Sequence, residues 1–103
     1  MSINQNLAIE EYQLTCDVLM EIAQDYDVPP DVADIALAAA NELELQFIDN
    51  EVSDTDELEE QYADFIDYLE SVIDDLEENE LDLVLIGPLK KRLAKASKRL
   101  KGV

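Results

Sequence analysis

All 26 Asp and Glu of this 103-residue chain lie between Glu10 and Asp82, and all 7 Lys and Arg lie between Lys90 and Lys101. The acidic part has no cation of its own to set beside a carboxylate, so any compact form of it must tolerate self-repulsion. The net charge of -19 averages over this division. Because 48% of the residues are hydrophobic, the chain still has the material for a buried core, and the acidity does not imply wholesale disorder. The length fits one small domain. Within it we expect an acidic helical body over 1–87 and a basic C-terminal helix over 88–103, docked on the body or on a partner subunit.

Apolar spacing predicts an all-α fold: a small bundle of three main helices, about 3–26, 30–48 and 55–78, plus a basic amphipathic helix at about 88–101. In the first helix Ile9, Tyr12, Cys16, Leu19, Ala23 and Tyr26 form one stripe, and Leu7, Leu14, Val18 and Ile22 a second. Ser2 with Gln5 fits a capping box. Asp27-Val28-Pro29-Pro30 ends that pattern and starts the next helix, which carries Val32, Ile35, Ala36, Ala39, Leu43 and Phe47 on one side. Ser53 or Asp54 can cap the third helix, whose stripe Leu58, Tyr62, Phe65, Leu69, Val72, Leu76 is the most regular in the chain. The stripe suits an intramolecular bundle or a homodimer seam. The run 81–86 is too short for periodicity to separate helix from strand, and helix is preferred because no second strand exists to pair with it. Gly87-Pro88 reads as a hinge. Beyond it Leu89, Leu93, Ala96 and Leu100 lie opposite Lys90, Lys91, Lys95, Lys98, Arg99 and Lys101.

The composition removes much chemistry. With no His, one Cys and two Gly, the chain lacks the residues of Cys/His zinc sites, Ser-His-Asp and Cys-His nucleophiles, an internal disulfide and a phosphate-cradling glycine loop. Cys16 reads as a small core hydrophobe. Asp49, Glu51, Ser53, Thr55, Glu57 and Glu60 match the ligand spacing of a calcium loop, but Asp54 stands where that loop needs glycine, and matches arise easily in so acidic a chain. No enzyme, no cofactor and no metal site are expected. No apolar run approaches the roughly 20 residues that span a bilayer, and the N-terminus has no signal-peptide pattern, so an intracellular, cytoplasmic protein without membrane contact is expected.

Function must then lie in binding, and the third helix is the candidate surface. Its 11 acids from Asp56 to Glu78 spread over roughly 33 Å, about one per 3 Å of axis, close to the ~3.4 Å phosphate spacing of one DNA strand. Like charges three and four residues apart oppose helix formation, so stability alone does not account for them. The chosen partner-binding residues are Glu57, Glu60, Asp64, Asp67, Tyr68, Glu70, Asp74, Asp75, Glu77 and Glu78. Tyr12, Tyr26 and Tyr62 are further anchor candidates, with Tyr68 expected to be the most exposed. In charge style the chain resembles small acidic DNA mimics, phage-encoded ones included, that block restriction or CRISPR effectors, and immunity proteins that neutralise nuclease toxins; no motif is shared with either. The resemblance implies an inhibitor that sets carboxylates against the basic groove of a nucleic-acid-handling enzyme, with no direct nucleic-acid contact. The competing readings are an adaptor module that binds through apolar contacts, its acids merely solvated, and adaptation to a saline cytoplasm.

Salt screens the repulsion within the acidic body. Thermal unfolding followed by circular dichroism should therefore show a Tm that rises from low to moderate ionic strength; a constant Tm would mean that the carboxylates are already neutralised.

Overall fold

The computed structural model describes residues 4–50, 52 and 54–101. Among the described residues four α-helices follow one another: α1 (Gln5–Ala23), α2 (Pro30–Leu43), α3 (Thr55–Glu78) and α4 (Leu83–Leu100), with a single π-helical turn, Glu44–Ile48, continuing α2. The fold is all-α, and no helix among the described residues is long and apolar enough to cross a membrane. The longest dimension, 41 Å, is set by α3, whose 24 residues span about 36 Å.

Each helix end has a local cause. Asn4 caps α1, its Oδ1 accepting from the Leu7 N–H at 2.8 Å; the Ser2 of the expected capping box lies outside the described residues. Pro29 and Pro30 start α2 without a side-chain cap, because proline at the first helical position sacrifices only an N–H that would be unpaired anyway. Asp54 caps α3 by accepting from the Asp56 N–H at 2.8 Å, while Ser53 also lies outside the described residues. At its other end Leu81 N–H donates to Leu76 O and Glu80 N–H to Glu77 O, a Schellman closure that holds Glu80 at φ 62°.

Besides the end of the first helix, which falls at Ala23 and not at Tyr26, two expected boundaries move. The last helix starts at Leu83, five residues before Pro88, because Asp82 caps it with a 3.0 Å bond from the Val84 N–H. Gly87-Pro88 is therefore not a hinge. Proline normally drives its predecessor out of helical angles by clashing with that residue's Cβ, and Gly87 has none. The second helix does not stay α-helical to Ile48 but widens after Leu43, with Asp49 N–H reaching back to Glu44 O at 2.8 Å. That turn places Phe47 in an aromatic cluster. Tyr12 lies 4.8 Å from Phe65 and 5.4 Å from Phe47, Tyr62 lies 5.8 Å from Phe65, and Tyr68 lies 6.3 Å from Phe47. Five of the six aromatic residues are in this cluster, and such ring pairs add to the stability given by burial alone.

The buried face of α1 differs from the expected stripes. Tyr26 lies beyond the helix and is fully exposed, Leu14 faces solvent, and the core side is Ala8, Glu11, Tyr12, Thr15, Leu19 and Ile22. Two polar residues hold core places on it. Thr15 Oγ1 donates to Glu11 O at 2.9 Å, which satisfies the hydroxyl. Glu11, 2% exposed, faces Arg92 at 3.6 Å and Arg99 at 3.4 Å, the only arginines in the chain. Seven residues apart, they lie on one side of α4 and direct it onto α1 and α3, while Ile86, Leu89 and Ala96 fill the space between. Arg99, expected on the solvent side with the lysines, thus points inward.

The triad is asymmetric, and so are its expected mutants. Arg99 is 37% exposed and can turn its guanidinium to water, whereas Glu11 cannot escape. Removing both cations (Arg92→Met with Arg99→Met) should cost about 3–5 kcal/mol, the scale of an uncompensated buried charge, and Glu11→Met distinctly less. Urea unfolding measures both, and equal losses would show that Glu11 has access to solvent. Glu80→Gly should in turn gain about 1 kcal/mol by relieving the left-handed backbone.

Candidate protein-binding surface

The surface is built by α3. Leu58, Tyr62, Phe65, Ile66, Leu69, Val72, Ile73 and Leu76 occupy its buried side, which leaves the acids on the rest of the circumference. At 100° per residue, Glu57, Glu60, Asp64, Asp67, Glu70, Asp74, Asp75, Glu77 and Glu78 fan across an arc of about 160°. All nine are exposed. They form a curved acidic crest, not a single ribbon.

The crest divides into two flanks. Toward α4, Glu70, Asp74 and Glu77 line a shallow groove with Ile73, Leu93 and Lys90, and Lys90 Nζ donates to Glu77 Oε2 at 3.0 Å. Both partners are well exposed, so this pair contributes only about 0–1 kcal/mol. Toward α2, Glu57, Glu60, Asp64 and Tyr68 line a groove of about 460 Å³ with Phe47 of the π turn and Glu42 of α2. Asp67 and Glu78 stand between the flanks. Asp75 lies close enough to Tyr68 for its charge to be felt there. Burial first, then the charges of Glu42 and Asp75, raise the Tyr68 hydroxyl above the ordinary tyrosine range.

Of the four tyrosines weighed as anchors, Tyr12 and Tyr62 are fully buried and serve the core. Tyr12 Oη donates to Gln61 Oε1 at 3.3 Å, and Gln61 Nε2 to Asn50 O at 3.0 Å, tying α1, the loop before α3 and α3 together. Among the described residues the buried Tyr62 hydroxyl has no hydrogen-bond partner. Burial raises its pKa, Glu11 raises it further, and Arg99 and Arg92 oppose the rise. Tyr68 is half-buried with its ring against Phe47, so the most exposed tyrosine is Tyr26, not Tyr68. The calcium-loop spacing does not become a loop, because Thr55, Glu57 and Glu60 are already helical; Glu51 and Ser53 lie outside the described residues. Among the described residues no three potential metal ligands converge.

Glu42 and Phe47 were not chosen from the sequence. Neither carries a local signal: Glu42 is one more exposed acid on α2, and Phe47 reaches the groove through the π turn and its packing on α3. No family model matches the chain, and no curated protein or solved structure shows significant similarity to it.

Cys16 packs against α2, with its Sγ donating to Ala40 O at 3.4 Å. Burial, with smaller contributions from Glu44 and Asp17, pushes its pKa from 9.0 up to about 11. At pH 8 the folded protein should therefore alkylate about 100-fold more slowly than the urea-unfolded chain. A raised pKa means that the fold favours the protonated thiol. The contribution to stability is complete below pH 9 and is lost as pH rises through 11. Equal iodoacetamide rates for folded and unfolded protein would place Cys16 at the surface.

Proposed function

We propose that this protein is a non-catalytic acidic inhibitor that uses the crest of α3 to occupy a positively charged groove on a protein partner. Nucleases and restriction or CRISPR effectors present such grooves to nucleic acid. We read the architecture as an acidic body of three helices closed by a basic fourth, working in the cytoplasm without contacting nucleic acid itself. One observation carries the reading. The chain's arginines are directed to Glu11, Lys90 alone of the lysines pairs with the crest, and eight of the nine crest carboxylates have no cation within salt-bridge distance among the described residues.

The physics of such a partner follows. Opposed surfaces of opposite sign speed encounter and make binding fall with salt. Substituting Glu60→Lys, Asp64→Lys, Asp67→Lys and Asp74→Lys, all exposed positions, leaves the core untouched.

A second reading has its own observation. Tyr26, Leu83 and Val84 are 103%, 70% and 78% exposed, and a pocket of about 450 Å³ joins the α1–α2 loop to the start of α4 at this end of the molecule. Such apolar exposure suits an adaptor held by hydrophobic contact.

Capture from a lysate of the cell that makes the protein, eluted with salt or with duplex DNA, separates the two. The inhibitor reading expects basic nucleic-acid enzymes that DNA displaces, with affinity reduced about tenfold or more by the four lysines at unchanged helix content. Salt-resistant partners that survive charge reversal and are lost on Tyr26→Ser with Val84→Ser would instead establish the adaptor.

A further inference from the structure

Three features compete for a role beyond the crest as a whole: the apolar end around Tyr26 and Val84, the buried Glu11 triad, and the groove between the π turn and α3. Nothing in the structure shows what covers the first, and the second holds α4 in place. The third combines three properties. It is concave, at about 460 Å³ within the size range of ligand sites. Its floor includes the aromatic residues Phe47 and Tyr68, paired at 6.3 Å. Its rim carries Glu42, Glu57, Glu60 and Asp64, and no Lys or Arg lines it.

The fold offers one precedent for the cation that meets such a combination. Inside the fold a carboxylate beside a tyrosine, Glu11 with Tyr62, is met by arginines, whereas among the described residues lysine pairs only with the open Glu77. The physical reason is general. A guanidinium is planar and weakly hydrated, stacks on aromatic faces and forks toward carboxylates, while an ammonium keeps its water. The groove repeats the carboxylate-and-tyrosine pairing at the surface. The chain's own arginines cannot fill it, because α4 lies along the other flank of α3 and is held there by Glu11.

We infer that the groove between the π turn and α3 is a docking seat for an arginine-bearing segment of a protein partner, with a guanidinium on the Tyr68–Phe47 floor between the rim carboxylates. The inference rests on the crest being a partner-binding face and narrows it to one flank. Attraction spread over the crest would depend on how many charges are removed. A seat makes it depend on where they are removed.

The test uses the full chain and two blocked helical peptides of alanine background, one with four arginines and one with four lysines, by fluorescence anisotropy. Glu57→Gln, Glu60→Gln and Asp64→Asn together should weaken the arginine peptide by about tenfold. Glu70→Gln, Asp74→Asn and Glu78→Gln, an equal change of charge off the groove, should weaken it by less than about threefold. Tyr68→Leu, which keeps the apolar bulk, should remove most of the preference for arginine over lysine. Equal losses from both triple variants would overturn the seat and leave the crest reading standing, and no loss from either would overturn both. Concentration-dependent dimerisation of the chain, abolished by the groove variants, would assign the groove to the lysine face of a second copy and so overturn the partner segment.

Discussion

The structure depends on a carboxylate in the core. Glu11 sits where the spacing of Ala8, Tyr12, Thr15, Leu19 and Ile22 calls for an apolar residue, and the only cations in the chain lie some 80 residues away. Burying it alone would be prohibitive. Arg92 and Arg99 make its burial tolerable and thereby dictate where α4 lies, on α1 and α3 with Leu89, Leu93 and Leu100 inward. A buried ion pair is weak evidence for stability, but it is selective: a slip of α4 by one turn in either direction would take both guanidiniums away from Glu11. An apolar stripe of Leu89, Leu93, Ala96 and Leu100 has no such registry.

The same contact determines what the surface can do. Cations that turn inward do not neutralise acids that face outward. The positive helix is therefore joined to the acidic body with only Lys90, among the described residues, paired to the crest, and the molecule shows solvent a lysine face on α4 and an acidic crest on α3. A crest so unpaired is expensive in repulsion and gives little to helix stability. It is, however, the arrangement that long-range attraction to a basic partner requires. The groove beside it adds what charge density lacks, a shaped aromatic floor.

How much of this could be read from residues alone follows from the range of the signals. The α3 stripe from Leu58 to Leu76 was legible in full, because a 4-3-4-3-4 spacing over five turns has one solution. The start of α4 was not, because Gly87-Pro88 is a strong stop signal and its cancellation depends on the absence of one Cβ. The π turn was invisible, since Phe47 sits at an ordinary helical spacing from Leu43 and is drawn into the core by Tyr12 and Phe65. Tyr26 fitted the α1 stripe by number, but the helix ends before it. Charge and spacing mark nine acids of α3 as candidates, and its place off the main stripe marks Tyr68, whereas Glu42 and Phe47 come from other elements and carry no mark of their neighbours. The arginines seven apart were a usable clue: they are the only two among seven cations, and their pairing with a charge at a core position of α1 is the contact that sequence periodicity passed over.

Native-state hydrogen exchange resolved by residue tests the central claim, that Glu11 builds α4 into the fold and so leaves the crest unneutralised. The account predicts that amides of α4 from Ile86 to Ala96 exchange only through global unfolding, with the same free energy as the middle of α3, at low and at moderate salt. Rapid exchange throughout α4, with α1 to α3 still protected, would contradict it: the basic helix would then be a mobile arm free to cover the acids, and the unpaired crest would not exist in solution.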